Sequence, residues 1–386
     1  MKNSDTIEAY IEGIRKNTMA KKYTHHFTVF VFIFRQPPPI YKLVPNFRTE
    51  VLSLVKAYIK GIEYYCPQQI ESNPANDKLT EKIGILTRHI AKDNELASDL
   101  AYMAAEKLFN TKICEKEDID FLLYCTQSPD HFLPTTACLL QNRLNLPTTC
   151  GAFDYNLGCS GYVYGLSIAK GLIESGAAKN ILLITADTYS KYIHPLDRSV
   201  KVLFGDAATA TLVSSTDSEE DLIGPFDFGT DGRGADNLIV PAGAFKEPIS
   251  SVNLEETQDA FGNVRMRKNL YMNGPEVFNF TLKEVPRSIQ NLLEKSNKTK
   301  DDYDLFIFHQ ANKYMLEHLR KKLSIDEQKF SVCIENFGNT VSSTIPIALK
   351  HELIQGRVKN SSLLMLVGFG VGYSWASCNV VWKSNT

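Results

Sequence analysis

Two stretches of the chain read as copies of each other. Gly158, Cys159 and Ser160 open a helix-length segment closed by Gly176, and Lys179-Asn180 then lead into the apolar run "ILLITAD". Gly338, Asn339 and Thr340 open a second such segment closed by Gly356, followed by Lys359-Asn360 and "SLLMLVGFG". Each of these positions lies 180 residues from its mate. Upstream, Asp118-Ile119-Asp120 leads into "FLLYC" and Asp302-Tyr303-Asp304 into "LFIFH", now 184 residues apart, so a small insertion separates the copies. Order, spacing and element type all agree, which is the signature of an internal repeat. Each copy alternates short buried strands with helices. That pattern predicts two related α/β halves, each with a mostly parallel sheet covered on both faces.

The glycines, aspartates and proline of "DFGTDGRGADNLIVPAG", Asp227 to Gly243, mark turns, and the halves are expected to divide there, into residues 55–228 and 229–386. The polar stretch Lys246 to Asn269 reads as an excursion. The first copy begins with the strand-like "VKAYIKGIEYY", Val55 to Tyr65. Residues 1–54 have no counterpart in the second copy, and "RQPPPIYKLVP" is a break rather than a core element. They read as an N-terminal extension of unknown role: an added arm, disorder included, or a stretch foreign to the native protein.

Composition narrows the class. With 42 basic and 44 acidic residues the net charge is −2, so no global field favours nucleic acid or an anionic membrane, and neither partner is expected. The run "FTVFVFIF", Phe27 to Phe34, is far shorter than the roughly 18 residues of a membrane span, and no small-residue cleavage site marks a signal peptide. The eight cysteines form no C-x-x-C pair and no zinc-type spacing. They are expected to be reduced thiols in a cytoplasmic protein that binds no metal.

Cys159 stands at the mouth of a helix, where unpaired N–H groups and the helix dipole favour a thiolate, the form that attacks carbonyls. Gly161, Gly165 and Ala169 give that helix a smooth face, and the helix after Asn339 is its expected neighbour. His309 follows the apolar strand of "FIFHQAN", at the kind of strand end where α/β sheets bind ligands. Cysteine would supply the nucleophile, histidine would polarise or move a proton, and asparagine would donate to an oxyanion. Taken singly, each has a plainer reading: a buried small hydrophobe, a hydrogen-bonded loop residue and a helix cap.

"DYNLGCSGYVYGLSIA", "FHQAN", "NFGNTVSS", "FGDAATATLV" and "GFGVGYSWAS" together resemble the β-ketoacyl carrier-protein synthase III branch of the thiolase superfamily, from about Val55 to the C-terminus. The resemblance implies a homodimer of five-layered α/β/α/β/α subunits that works without a cofactor on coenzyme A or carrier-protein thioesters. By the family pattern Cys159 takes an acyl group. His309 and Asn339 then stabilise the enolate left when a malonyl thioester loses carbon dioxide. The oxyanion hole would use the N–H groups of Cys159 and Val371. Asn312, Phe369, Gly370 and Gly372 would line the substrate site, and Leu133 would shape the acyl pocket of the partner subunit.

Other branches fit less well. A thiolase would carry a second cysteine where Phe369 stands, and an elongating synthase would carry histidine where Asn339 stands. Type III polyketide synthases share cysteine, histidine and asparagine, but "HQAN" favours synthase III. A hydroxymethylglutaryl synthase needs a glutamate base near the cysteine. Where the family holds the nucleotide of coenzyme A with tryptophan and arginine, this chain has Lys78 and Lys82, which can meet phosphate but cannot sandwich adenine. An acyl carrier protein is therefore a candidate donor. Lys313, Arg320 and Lys321 form a basic stretch suited to that acidic partner, or simply a solvated face.

Decarboxylative condensation is the first reading. A same-fold acyltransferase that passes the Cys159-bound acyl group to a hydroxyl or amine is the second. A non-catalytic partner subunit is the third, disfavoured because Cys159, His309 and Asn339 are all present.

Overall fold

The computed structural model describes residues 55–384. The expectation for residues 1–54 lies outside them. The main elements, labelled here in chain order, are strands β1 (Val55–Tyr65), β2 (Phe121–Cys125), β3 (Gly151–Tyr155), β4 (Asn180–Asp187), β5 (Ala207–Asp217), β6 (Ile223–Thr230), β7 (Leu305–Phe308), β8 (Leu363–Gly370) and β9 (Ser374–Val381). The longer helices are α1 (Ala97–Asn110), α2 (Thr136–Arg143), α3 (Gly161–Glu174), α4 (Gly274–Ser296), α5 (Lys313–Lys322) and α6 (Thr344–Ile354).

One sheet runs β1-β5-β4-β2-β3 and the other β6-β9-β8-β7, which a parallel bridge from Phe306 to Phe330 extends. Strand order and polarity match position by position. In both sheets the first two pairings are antiparallel and the next is parallel. The repeat in the sequence is therefore a repeat in topology. Two expectations need correction. The sheets are mixed rather than mostly parallel, because the last strand of each copy returns beside its predecessor in the opposite sense; in the second copy a short turn joins β8 to β9. The division at 228/229 falls inside β6, whose partner is β9, so by strand pairing the second half begins at Ile223.

Side chains alternate across each strand, and the alternation builds the layers. Leu122, Tyr124, Leu182 and Ile184 point toward α1 and α2. Leu123, Ile181 and Leu183 point the other way, into a shared core with α3, α6 and Leu305, Ile307, Leu364 and Leu366 of the second sheet. Phe306, Phe308, Met365, Val367 and Phe369 face outward again, onto α4 and α5. The result is the expected α/β/α/β/α stack. Residues Thr344 to Leu349 of α6 are buried all round, as a helix between two sheets requires. The small-residue face of α3 meets its own sheet more than α6: a Cβ on Gly161 would lie 2.3 Å from Cys125 Sγ, and one on Gly165 2.2 Å from the Tyr155 hydroxyl. That face admits the sheet, and Ser342, in the turn before α6, comes within 3.7 Å of a Cβ on Gly161.

Candidate active site

The two central helices begin at one place. Cys159 lies in the turn before Ser160, the residue that precedes α3. Asn339 precedes a short 3-10 turn, Val341–Ser343, that runs into α6. The Asn339 backbone is clamped by the "FGD" loop: its N–H donates to the Leu203 carbonyl at 2.8 Å, and its carbonyl accepts from Gly205 at 3.1 Å. His309 follows β7 directly, its own N–H held by Val367 of β8 at 2.8 Å. A narrow cavity of about 80 Å³ brings Cys159, His309 and Asn339 together with Asn312, Phe369 and Gly370. A second, open cleft of about 620 Å³ shares Tyr189 and Leu238 with it and includes Val371 and Phe132.

All three site residues are nearly sealed from solvent: Cys159 is 5% exposed, His309 2% and Asn339 6%. Burial decides the electrostatics. The Cys159 thiol is pushed up to about 12, first by desolvation and then by the Asp187 carboxylate, although the N–H groups of Val371 and of Cys159 itself reach the sulfur and pull the other way. The expected helix-start activation is thus outweighed, and the resting side chain is a thiol. His309 is lowered to about 3 by burial and is neutral at working pH.

His309 Nδ1 lies 2.7 Å from Thr344 Oγ1, which is also 3.1 Å from the Val341 carbonyl. A hydroxyl has one hydrogen. Donation to Nδ1 leaves the ring proton on Nε2, the tautomer able to donate toward an enolate oxygen; donation to Val341 leaves Nε2 as an acceptor. Asn339 Oδ1 accepts the Val341 N–H at 2.9 Å, which leaves its amide N–H groups free of that bond. Phe369 packs edge-on against the His309 ring at 5.4 Å.

The remaining expected residues separate into groups. A Cβ on Gly370 would sit 2.8 Å from Cys159 Sγ, so only glycine fits there. Asn312 lines the cavity but spends its side-chain oxygen capping α5, accepting the Met315 N–H at 2.8 Å. Gly372 does not line the cavity; it serves the turn between β8 and β9 with φ of 135°. Leu133 is 83% exposed and lines neither cavity of its own chain. Lys78 is exposed and off the cavity, whereas Lys82 places its ammonium 4.1 Å above the Tyr314 ring. Arg320 has its guanidinium engaged within its own chain, by Glu317 at 2.9 Å and by the Ile325 carbonyl. Lys313 and Lys321 remain exposed.

Thr344, Tyr189 and Asp187 were not anticipated. The hydroxyl run "VSST" after Asn339 and the carboxylate that closes the otherwise buried "ILLITAD" were the available signals. Among the described residues no helix is long and apolar enough to cross a membrane, and no group of three or more histidine, cysteine or carboxylate side chains could hold a metal ion.

Comparison with known proteins agrees with this geometry. Residues 153–232 match the family profile for 3-oxoacyl-[acyl-carrier-protein] synthase III, and residues 293–382 match the profile of its C-terminal part. The chain is 34% identical over 337 residues to the beta-ketoacyl-[acyl-carrier-protein] synthase III of Caldanaerobacter subterraneus, covering 85% of this chain and 98% of that one. The Campylobacter fetus protein of the same name is 36% identical over 331 residues, covering 83% and 97%. Among solved structures, a 3-oxoacyl-(acyl-carrier-protein) synthase III superposes with a TM-score of 0.83 at 53% identity, covering 85% of this chain and all of that one. One from Burkholderia xenovorans gives 0.78 at 39%, covering 85% and 94%. With a duplicated five-layer fold and a cysteine, a histidine and an asparagine meeting in one buried cavity, the chain belongs to the β-ketoacyl-acyl-carrier-protein synthase III family of condensing enzymes.

Proposed function

We propose that the chain extends an acyl primer by two carbons in two stages. In the first, Cys159 sulfur attacks the carbonyl of an acyl thioester, the donor thiol leaves, and the acyl group remains on the enzyme. The thiol proton of Cys159 passes to the departing donor sulfur, so this stage leaves an acyl-cysteine and a free donor thiol. In the second, a malonyl thioester loses carbon dioxide and its bonding electrons form an enolate. His309 and Asn339 donate hydrogen bonds to the enolate oxygen, its carbon attacks the acyl-cysteine, the carbon–sulfur bond breaks, and the Cys159 thiolate that leaves takes up a proton from water to restore the resting thiol. The N–H groups of Cys159 and Val371 serve the oxyanion of each tetrahedral intermediate. The observation that carries this reading is that Cys159, His309 and Asn339 line one buried cavity. Thiol, imidazole and amide suffice, so no cofactor is required.

The partners follow from the surface. Lys313, beside the cavity residue Asn312, and Lys321 suit an acidic acyl carrier protein, and Lys82 on the Tyr314 ring suits a phosphate rather than an adenine. Among the described residues β3 is the last strand of its sheet, with only the Asp154 N–H of its outer edge met, by Thr135, and Phe132 (75% exposed), Leu133 and Phe245 (89%) form an apolar patch in which the first and last rings lie 5.7 Å apart. A second copy pairing along β3 would cover both features and bring Leu133 toward the partner's acyl cleft. We place the enzyme in the cytoplasm, where its free thiols stay reduced.

The test is intact-protein mass after incubation with acyl-coenzyme A and acyl-carrier thioesters. A gain of one acyl group that Cys159→Ala abolishes supports the scheme. A gain that survives Cys159→Ala refutes it. Carbon dioxide release from a malonyl donor separates condensation from simple transfer to a hydroxyl or amine.

A further inference from the structure

Asp187 closes β4 with no exposed surface, and the scheme above gives it no task. A buried carboxylate is costly unless its oxygens are met. Here they are met by two different loops. Oδ1 accepts the Gln127 N–H at 2.8 Å. Oδ2 accepts the Ser342 hydroxyl at 2.5 Å and faces the Ser342 N–H at 3.4 Å.

Each loop leads to the chemistry. Ser342 sits in the turn between Asn339 and Thr344, the residues that hold the amide and the imidazole. That turn is strained, because Val341 has φ of 55°, a left-handed conformation that a β-branched residue avoids. It persists only if neighbouring contacts hold it. Gln127 reaches the other side: its amide donates to Asn156 at 2.8 Å and accepts from the Tyr189 hydroxyl, and its oxygen lies 2.6 Å from where a Cβ on Gly158 would stand, one residue before the nucleophile.

We propose that Asp187 is a positioning residue for the enolate-forming stage: its carboxylate anchors the strained turn that aims Asn339 and His309, and ties that turn to the loop beside Cys159. The inference rests on the condensing reading of the site. It predicts that the two stages respond differently. Acyl transfer uses the sulfur and the backbone N–H groups, which Asp187 does not hold. Malonyl decarboxylation uses the side chains on and beside the turn.

Asp187→Asn and Ser342→Ala test it in the full chain, Ser342→Ala being the milder change because it leaves the carboxylate and the Gln127 bond in place. Self-acylation is followed by intact mass with the acyl-coenzyme A that the wild type accepts, and decarboxylation by carbon dioxide release from malonyl-carrier protein. Both variants should lower the decarboxylation kcat by about 10–100-fold, the cost of misplacing reacting groups by a fraction of an ångström to one ångström, with KM within about twofold. Self-acylation should stay within about threefold, or quicken in Asp187→Asn because a buried negative charge near the thiol is gone. Wild-type decarboxylation in Ser342→Ala overturns the proposal. So does an equal fall of both stages in a Ser342→Ala protein that unfolds at the wild-type temperature. A wild type that never self-acylates contradicts the condensing reading instead, so the two failures are told apart.

Discussion

Cys159 and Asn339 stand at matching positions of the duplicated fold, but the strand ends that face them differ. Each central helix start packs against the sheet of the other half. Cys159 and Ser160 meet Gly370 and Gly368 at the end of β8, where added Cβ atoms would lie 2.8 Å from the sulfur and 2.7 Å from the Ser160 Cα. Ser342 and Ser343 meet Asp187 and Thr185 at the end of β4, through hydrogen bonds of 2.5 and 2.9 Å. One end carries glycines, so that a nucleophile and a loop N–H can approach. The other has kept polar side chains that hold a strained turn. Duplication supplied the scaffold twice, and divergence at two strand ends made one copy a place for covalent attack and the other a place for stabilising charge.

The largest effect expected from erasing that difference is in Gly370→Ala. The methyl would overlap the Cys159 sulfur, and self-acylation should fall on the order of 100-fold or more while the protein still folds. Stopped-flow or quenched acylation measures it, and a rate within threefold of wild type would remove the close-approach argument.

The next test contrasts buried charge in the two halves. His309 is lowered to about 3 in the fold, against about 6.5 in an unfolded chain, so the unfolded state binds the proton first. Its contribution to stability is present above pH 6.5 and is lost as pH falls toward 3, by up to ~1.4 kcal/mol per pH unit. Asp187 is raised to about 7, chiefly by burial, so it acts with the opposite sign: stability falls as pH rises from 3.8 toward 7. Relative to wild type, denaturant midpoints of His309→Asn should improve as pH drops below 6.5, and those of Asp187→Asn should improve as pH climbs toward 7. Parallel curves for both variants would contradict the assigned burial.

The smallest effects lie on α5. Lys321→Glu should raise the KM for an acyl-carrier substrate several-fold at low salt, because exposed charges steer association. Arg320→Ala should change that KM by less than twofold and stability by no more than about 1 kcal/mol, as expected of a guanidinium already paired at the surface. Equal effects on KM would show that the ion pair opens on binding.

Much of this was legible in the chain itself. The 180-residue offset disclosed the two halves, and Cys159, His309 and Asn339 stood out because all three fall at junctions of the repeat. What stayed hidden has a common cause. That β1 pairs antiparallel with β5, some 150 residues later, is a long-range choice that local pattern does not encode. The thiol's high pKa, the burial of Asp187 and the capture of Arg320 by Glu317 depend on what surrounds each group after folding. A helix start announces itself in sequence, but whether its dipole or its desolvation wins does not.

The most direct test of the division of labour is to measure both stages in Asn339→Ala. The account predicts self-acylation on Cys159 near the wild-type rate, seen as an added acyl mass, with malonyl decarboxylation reduced on the order of 100-fold, the cost of one oxyanion donor. Loss of both stages together, or of acylation alone, would contradict it.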